Sequence, residues 1–115
     1  MHEVSLVQAL FDSADRAIAD HPTAAVRSMH VRIGEQAGVE HELFRTAFDG
    51  CRIERGYAHA ALTLVAEPAR WICGACGAAI VPAEDLRCPA CDGEARLVAG
   101  GGIFLDRLEL EVRDV

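Results

Sequence analysis

The spacing of apolar and polar residues predicts two helices in the first half of the chain. Apolar residues recur with helical periodicity from Val4 to about Ala19, and Ser5 or Glu3 is expected to stabilise the start of this helix. The dipeptide His21-Pro22 is expected to end it. A second helix is predicted by apolar positions at spacing i, i+1, i+4, i+5 and i+8, which are Leu43, Phe44, Ala47, Phe48 and Cys51.

Alternation with a period of two predicts three strands. The first runs from Val26 to Ile33, the second from Ala61 to Glu67, and the third covers the alternating residues from Arg107 to Val112. Two helices can cover one face of a three-stranded sheet, so the pattern predicts an α+β fold. The triple glycine at residues 100–102 is expected to form a flexible joint before the last strand.

Two Cys-x-x-Cys pairs stand between the second and third predicted strands. The pairs are Cys73 with Cys76 and Cys88 with Cys91. Four thiolates can form a tetrahedral cage around Zn(II), and each pair can bring two sulfurs to one side of the metal. Gly77 and Gly93 follow the two pairs, where a backbone that wraps a metal often needs positive φ. The spacing therefore predicts a structural four-cysteine zinc site.

The alternative uses of these cysteines are a four-thiolate iron site and a thioredoxin-like redox pair. The redox reading is disfavoured because neither pair opens a helix after a strand, whereas iron stays open. A closed zinc site performs no chemistry, but it would stabilise an insert of about 30 residues that is too small to fold on its own core. Cys51 is separate and is expected to be a buried core thiol.

The N-terminal residues form the second candidate metal site. In Met1-His2-Glu3 a free amine, a backbone nitrogen and an imidazole lie within one short reach, and together they can form a chelate that suits Ni(II) or Cu(II). The alternative is a loose N-terminal tail. Of the remaining histidines, His41 is a candidate accessory ligand, and those that are expected to be solvated are His21, His30 and His59.

Composition narrows the classes of partner. The net charge of the 115 residues is −7, and all eleven basic residues are arginine, so nucleic-acid binding is not expected. No secretory signal is apparent, and no apolar stretch approaches the ~20 residues that a membrane span needs. Paired cysteines in such a chain indicate metal rather than disulfides, and hence a reducing, cytoplasmic setting.

Taken together, these motifs resemble the HypA/HybF family of hydrogenase maturation nickel metallochaperones. The resemblance lies in the segment from Met1 to Leu6, in Ile33-Gly34-Glu35 and Val39-Glu40, in Phe44 with Ala47-Phe48, and in two Cys-x-x-Cys units before a final strand of Leu-x-Leu-Glu type. It extends over essentially the whole chain in order. One departure is Gly102, where such proteins often carry a polar or acidic residue, so the coupling of the insert to the core is in question.

The resemblance implies two metal sites on two parts of the chain. Nickel would be bound by the Met1 amine, the His2 nitrogens and Glu3, with Glu40 joining or supporting the site, although Glu40 could equally just cap the second helix. A nickel-binding core would comprise residues 1–68 and 103–115, and a zinc-binding insert would comprise residues 69–102. The implied zinc ligands are Cys73, Cys76, Cys88 and Cys91.

The resemblance also implies a function. The protein would be no enzyme but would deliver nickel to the large-subunit precursor of [NiFe]-hydrogenase, together with a maturation GTPase and in some relatives with urease maturation proteins. The alternative is a zinc-ribbon interaction module with no nickel role. The sequence leaves open whether the protein is a monomer or a homodimer, because the triple glycine would permit a swapped strand.

Overall fold

In the computed structural model the described residues are 2–81 and 86–112, apart from the His2 side chain. The helices are α1 (His2–Ala17) and α2 (His41–Cys51). The strands are β1 (Val26–Gly34), β2 (Ala61–Glu67), β3 (Arg70–Cys73), β4 (Ala79–Ile80), β5 (Ala95–Ala99) and β6 (Ile103–Leu110). They form two three-stranded sheets in the orders β2-β1-β6 and β4-β3-β5. The predicted α+β fold of two helices, a three-stranded sheet and a four-cysteine module is confirmed.

Most predicted elements occur where the pattern placed them, and the differences have local causes. Helix α1 starts at His2, so Ser5 lies inside the helix and cannot cap it, while Glu3 lies in the favourable first turn. Strand β6 starts at Ile103 and not near Arg107. Asp106 and Arg107 are both exposed, which interrupts the alternation. The first half of the strand was therefore not predicted from the pattern.

Apolar residues of α1, α2 and one side of β1 are buried. On β1 the buried residues include Val26, Met29 and Val31. The Phe11 ring lies 5.1 Å from the Phe48 ring and 5.0 Å from the Tyr57 ring, measured between centroids, and both pairs are stacked. Such pairs add about 0.5–1.5 kcal/mol beyond the burial of their area. This aromatic cluster joins α1 to α2 and to the turn that follows α2.

A polar network borders the aromatic cluster. The Tyr57 hydroxyl donates to Asp15 Oδ1 over 2.6 Å, and Arg55 Nη2 lies 2.7 Å from Asp12 Oδ1 and 3.0 Å from Asp15 Oδ2. Burial of Tyr57, followed by its bond to Asp15, raises the pKa of its hydroxyl. The two aspartates therefore anchor the segment after α2 to α1.

Three residues of the second apolar stripe are less buried than the sequence predicted, namely Leu43, Ala47 and Cys51. Leu43 is 51% exposed, although Phe44 and Phe48 of the same helix are fully buried. The prediction of a buried Cys51 is also wrong in part, since this thiol is only partly buried and accepts a hydrogen bond from Gln8 Nε2 at 3.6 Å. The buried side of α2 is thus narrower than the stripe.

Charged pairs link β1 to β6. His30 Nε2 lies 2.6 Å from Glu109 Oε1, and Arg32 Nη2 lies 3.2 Å from Asp106 Oδ1 while its guanidinium group stacks over the Phe104 ring. The prediction of a solvated His30 is therefore wrong, since its side chain is 24% exposed and is hydrogen-bonded. Cross-strand pairs of opposite charge of this kind stabilise a sheet.

The contacts of Glu109 predict a pH dependence of stability. Hydrogen bonding by His30, followed by that of Ser28, lowers the pKa of Glu109 below its ordinary value of 4.5. A carboxyl whose pKa is lower in the folded state stabilises the fold above the unfolded pKa, and this contribution is lost as the pH falls through the lowered folded pKa.

We therefore expect Glu109→Gln to reduce the loss of stability that occurs between about pH 6 and about pH 3.5. Urea unfolding midpoints measured at both pH values would report it, with Glu54→Gln as a control at an exposed carboxyl. An equal loss in the wild type and in Glu109→Gln would contradict the linkage.

The chain forms two compact units. The first comprises Met1–Arg32, Val39–Val65 and Phe104–Val115, and the second comprises Ile33–Gly38 and Ala66–Ile103. In the second unit the triple glycine is held by hydrogen bonds, because Gly34 N–H donates to Gly102 O and Gly100 N–H donates to Glu67 Oε1. A Cβ on Gly34 would lie 2.2 Å from the Gly100 carbonyl carbon. The expected flexible joint is thus a bonded segment.

Candidate metal centre

The sheet of the second unit positions the first cysteine pair. Strand β3 pairs antiparallel with β4 and β5, with Trp71 opposite both Ile80 and Leu97, and Cys73 opposite Ala95. Cys73 ends β3, and the chain then turns through Cys76 back into β4. The strand pairing therefore fixes the point from which the first two sulfurs project.

The second cysteine pair uses the same backbone hydrogen bonds as the first. In the first turn Cys73 N–H donates to Ala78 O, and Gly77 N–H donates to Cys73 O. In the second turn the matching bonds run from Cys88 N–H to Gly93 O and from Asp92 N–H to Cys88 O. The two motifs are structural repeats that face each other.

These turns bring the four sulfurs together. The Cys73 and Cys91 sulfurs are 3.4 Å apart, the Cys76 and Cys88 sulfurs are 3.6 Å apart, and all four lie within 4.8 Å of one another. Sulfurs bound to one tetrahedral ion at about 2.3 Å lie within about 4 Å of each other. The arrangement fits zinc, and it brings together all four predicted ligands.

Backbone amides favour thiolates in this cluster. The Ala75 and Cys76 amides donate to Cys73 Sγ over 3.3 and 3.4 Å, and these two bonds lower the Cys73 pKa to about 6. Without a cation, a second thiolate beside Cys73 is unfavourable, and its neighbours raise the pKa of Cys91 to about 12. A divalent cation reverses this balance, because it favours the thiolate form of every ligand.

The structure corrects the role predicted for one glycine. Gly77 has φ of 77°, as expected, but the equivalent position of the second turn is Asp92, with φ of 60°. Gly93 is required for another reason, because a Cβ there would lie 2.6 Å from Cys73 Sγ. The backbone at Gly93 thus closes one side of the sulfur cluster.

The site is closed by protein on its inner side. Cys73 and Cys88 are buried together with Ile80, and partly buried apolar residues pack around them, namely Trp71, Ala78, Leu86 and Ala95. Cys76 and Cys91 lie at the surface. Four protein thiolates fill a tetrahedral ion and leave no position for a substrate, so the arrangement is typical of a structural metal site.

The structure describes only some of the predicted nickel ligands. Met1 and the His2 imidazole lie outside the described residues, while Glu3 is partly buried in the first turn of α1. Glu40 is exposed at the N-cap position of α2, but its side chain makes no capping hydrogen bond, and His41 is the first residue of that helix. The N-terminal nickel site therefore stays a prediction.

Across the described part of the chain, the four cysteines are the one group of three or more His, Cys, Asp or Glu side chains placed to share an ion. Within these described residues, no helix is both long and apolar enough to span a bilayer. Fold and site thus define a small α+β protein with a four-cysteine cluster that could hold a metal ion.

Comparison with known proteins assigns the family. The family model described as "Hydrogenase/urease nickel incorporation, metallochaperone, hypA" matches residues 1–110. The chain therefore belongs to the HypA family of nickel metallochaperones that act in hydrogenase maturation, and the predicted resemblance is confirmed. Members of this family are maturation factors and not enzymes, as the sequence suggested.

Individual relatives agree in length and fold. Hydrogenase maturation factor HypA of Wolinella succinogenes is 30% identical over 117 residues, which cover 99% of this chain and 98% of the relative. Its counterpart in Shewanella baltica is 32% identical over 114 residues, which cover 96% and 97%. The solution structure of the Ni metallochaperone HypA from Helicobacter pylori is 25% identical, with a TM-score of 0.75 and coverage of 96% and 98%.

Proposed function

We propose that the chain binds Ni(II) through its N-terminal residues and delivers it to the large-subunit precursor of [NiFe]-hydrogenase. The observation that supports this most directly is the family match over residues 1–110, which covers both the N-terminal motif and the cysteine module. A maturation GTPase is the proposed partner in delivery, and urease maturation proteins are further candidates. Delivery of this kind would take place in the cytoplasm.

The fold around the N-terminus suits a transient site. Helix α1 begins at His2, so the proposed ligands belong to the start of a helix. A chelate at a helix end can exchange ligands with a partner, whereas a buried cage cannot. Selectivity must come from metal supply and partner docking, because Cu(II) binds such nitrogen ligands more tightly than Ni(II).

Two carboxylates are proposed to complete the site. Glu3 lies in the first turn of α1 and Glu40 immediately before α2, and the missing capping bond leaves the Glu40 carboxylate available to a cation. His41, partly buried beside Glu40, is the proposed accessory ligand. The positive end of each helix, however, also attracts these carboxylates, so their affinity for nickel is expected to be modest.

The cysteine module is proposed to hold Zn(II) as a structural ion. Four sulfurs within 4.8 Å, two of them buried, match the closed sites in which zinc stabilises small units. Zinc would then stay bound while nickel is exchanged. The proposed division of the chain is into a nickel-binding core, residues 1–68 and 103–115, and a zinc-binding insert, residues 69–102.

Nickel titration of the native chain tests the function. We expect one exchangeable nickel per chain beside one zinc, and we expect a single residue added before Met1 to weaken nickel binding by more than about tenfold, because the amine moves away from the imidazole. Calorimetric titration at constant zinc content measures the nickel affinity of the native chain and of the extended chain. Equal nickel affinity with and without the added residue would exclude the amine as a ligand.

A second candidate function is a zinc-ribbon interaction module without a nickel role. The four-cysteine cluster favours this second function, because the cluster contains no N-terminal residue and does not require nickel binding there. Metal analysis separates the two functions, since zinc without exchangeable nickel would support the second.

A further inference from the structure

Arg70 and Arg96 are unusual among the arginines of this chain. Each of the other eight described arginines has a side-chain hydrogen bond, an ion pair or both. For Arg70 and Arg96 the described residues provide neither. The sequence contains eighteen acidic residues and only eleven basic ones, so a shortage of acidic partners does not explain this.

The two arginines lie on one side of the same small sheet. Strand register places Arg96 of β5 directly opposite Ile72 of β3, and Arg70 is two residues before Ile72. Trp71, which lies between Arg70 and Ile72, packs towards the buried cysteines. The register shift at this point inserts its extra residue into β5, because consecutive residues of β3 pair with Ala99 and Leu97. Strand β3 therefore keeps its alternation, and Arg70 and Ile72 both point away from the cysteines. We call the surface of Arg70, Ile72 and Arg96 the arginine face.

Placing these charges together is unfavourable without an anion. Diagonal neighbours on paired strands are about 7–8 Å apart, and like charges at such positions repel. Glu94 precedes β5 and lies at one end of the face, but it forms no ion pair with either arginine in the described structure. The arginine face thus keeps a positive charge within a chain of net charge −7.

Apolar residues accompany the charges. Ile72 is partly buried between the arginines. Among the described residues of this unit, two large apolar side chains are exposed. Val81 directly follows β4, and Val98 lies in β5. Val98 is 43% exposed and sits where the register shifts, because Arg70 pairs with Ala99 and Trp71 with Leu97. Arginine is enriched at protein interfaces relative to the rest of the surface.

We propose that the arginine face is a docking surface for an acidic segment of a partner protein, in which carboxylates alternate with apolar residues. The carboxylates would pair with Arg70 and Arg96, since guanidinium groups bind carboxylates through two parallel hydrogen bonds. Apolar residues of the segment would cover Ile72 and Val98. The arginine face contains none of the proposed nickel ligands, so this proposal does not depend on nickel binding.

The test uses the zinc-loaded full chain and a fluorescein-labelled peptide of alternating glutamate and valine. Fluorescence anisotropy should show binding that weakens with salt, and Arg96→Glu should weaken it by more than about tenfold. The matched control is Arg16→Glu, which makes the same charge change on the exposed side of α1 and should alter affinity by less than about twofold. Arg96→Gln, a neutral change, should give an intermediate loss.

Zinc content and circular dichroism of each variant establish that the second unit is intact. Equal weakening by Arg96→Glu and Arg16→Glu would overturn the proposal, since it would show attraction by overall charge alone. Absence of peptide binding by the wild-type chain would also overturn it. So would a single-stranded oligonucleotide that binds as tightly as the peptide, because the face would then select phosphate rather than a protein segment.

Discussion

Cys88→Ala is expected to release the metal and to unfold the second unit. Cys88 is only 3% exposed and packs with Cys73 and Ile80 in the small core of this unit. Two of these three core residues are proposed metal ligands, so loss of the metal is expected to disrupt the core as well. Structural zinc contributes about 10–16 kcal/mol of binding free energy in small zinc modules, more than a core of this size can supply. Zinc analysis, together with limited proteolysis of residues 66–103, would measure the loss.

Cys51→Ala is the matched control for this prediction. Cys51 lies in α2 of the first unit, and among the described residues its thiol accepts one side-chain hydrogen bond, from Gln8. We expect that variant to keep full zinc content and to lose about 1 kcal/mol of stability at most. A Cys88→Ala chain that kept one zinc per molecule would contradict the proposed role of the cluster.

A glycine pair tests the same closure without removing a ligand. Gly93→Ala would place a Cβ 2.6 Å from Cys73 Sγ, whereas the nearest neighbour of a Cβ at Gly74 is the Glu94 carbonyl oxygen at 3.5 Å. Gly93→Ala should therefore lower zinc retention against a chelator, and Gly74→Ala should leave it near the wild-type value.

The cysteine ligands could be predicted because their chemistry is local. Two residues between paired cysteines set the geometry of each turn, and four thiolates have few other uses in such a chain. The glycine roles were less predictable, since they depend on three-dimensional contacts. Asp92 adopts positive φ and Gly93 faces a sulfur across the fold, and neither relation is visible in the spacing.

Helices and long strands could be predicted from periodicity, while the small sheet could not. Strand β2 runs from Ala61 to Glu67 as the alternation indicated, because one side of it is less exposed than the other. Strand β4 has only two residues, Ala79 and Ile80, which is too short for any period to appear. Its existence depends on pairing with β3, which is a long-range interaction.

The ion pairs could not be predicted from the sequence pattern. The position of Arg55 after α2 gives no sign that it binds Asp12 and Asp15, which are 43 and 40 residues away. The same holds for His30, whose partner Glu109 is 79 residues distant. A pattern of exposed positions identifies residues as polar, but only the fold determines which of them meet.

His2→Ala is expected to weaken nickel binding by more than about a hundredfold, because the proposed N-terminal site loses its imidazole. Loss of even an outer partner of a metal ligand costs about 10–100-fold in affinity, and here the ligand itself is removed. Alanine is the best helix former, so α1, which begins at residue 2, should be preserved and zinc should stay bound. Nickel titration with zinc measured in the same samples checks this result.

His59→Ala is the control, because His59 is an exposed histidine in a turn and its loss removes one imidazole without touching the N-terminus. It should bind nickel like the wild type. Affinity in the wild type should also fall as the pH drops below about 6.5, where the imidazole becomes protonated and cannot bind metal. If His2→Ala and His59→Ala bound nickel equally well, the metal would have to be held elsewhere, because a chelate without its imidazole cannot keep full affinity.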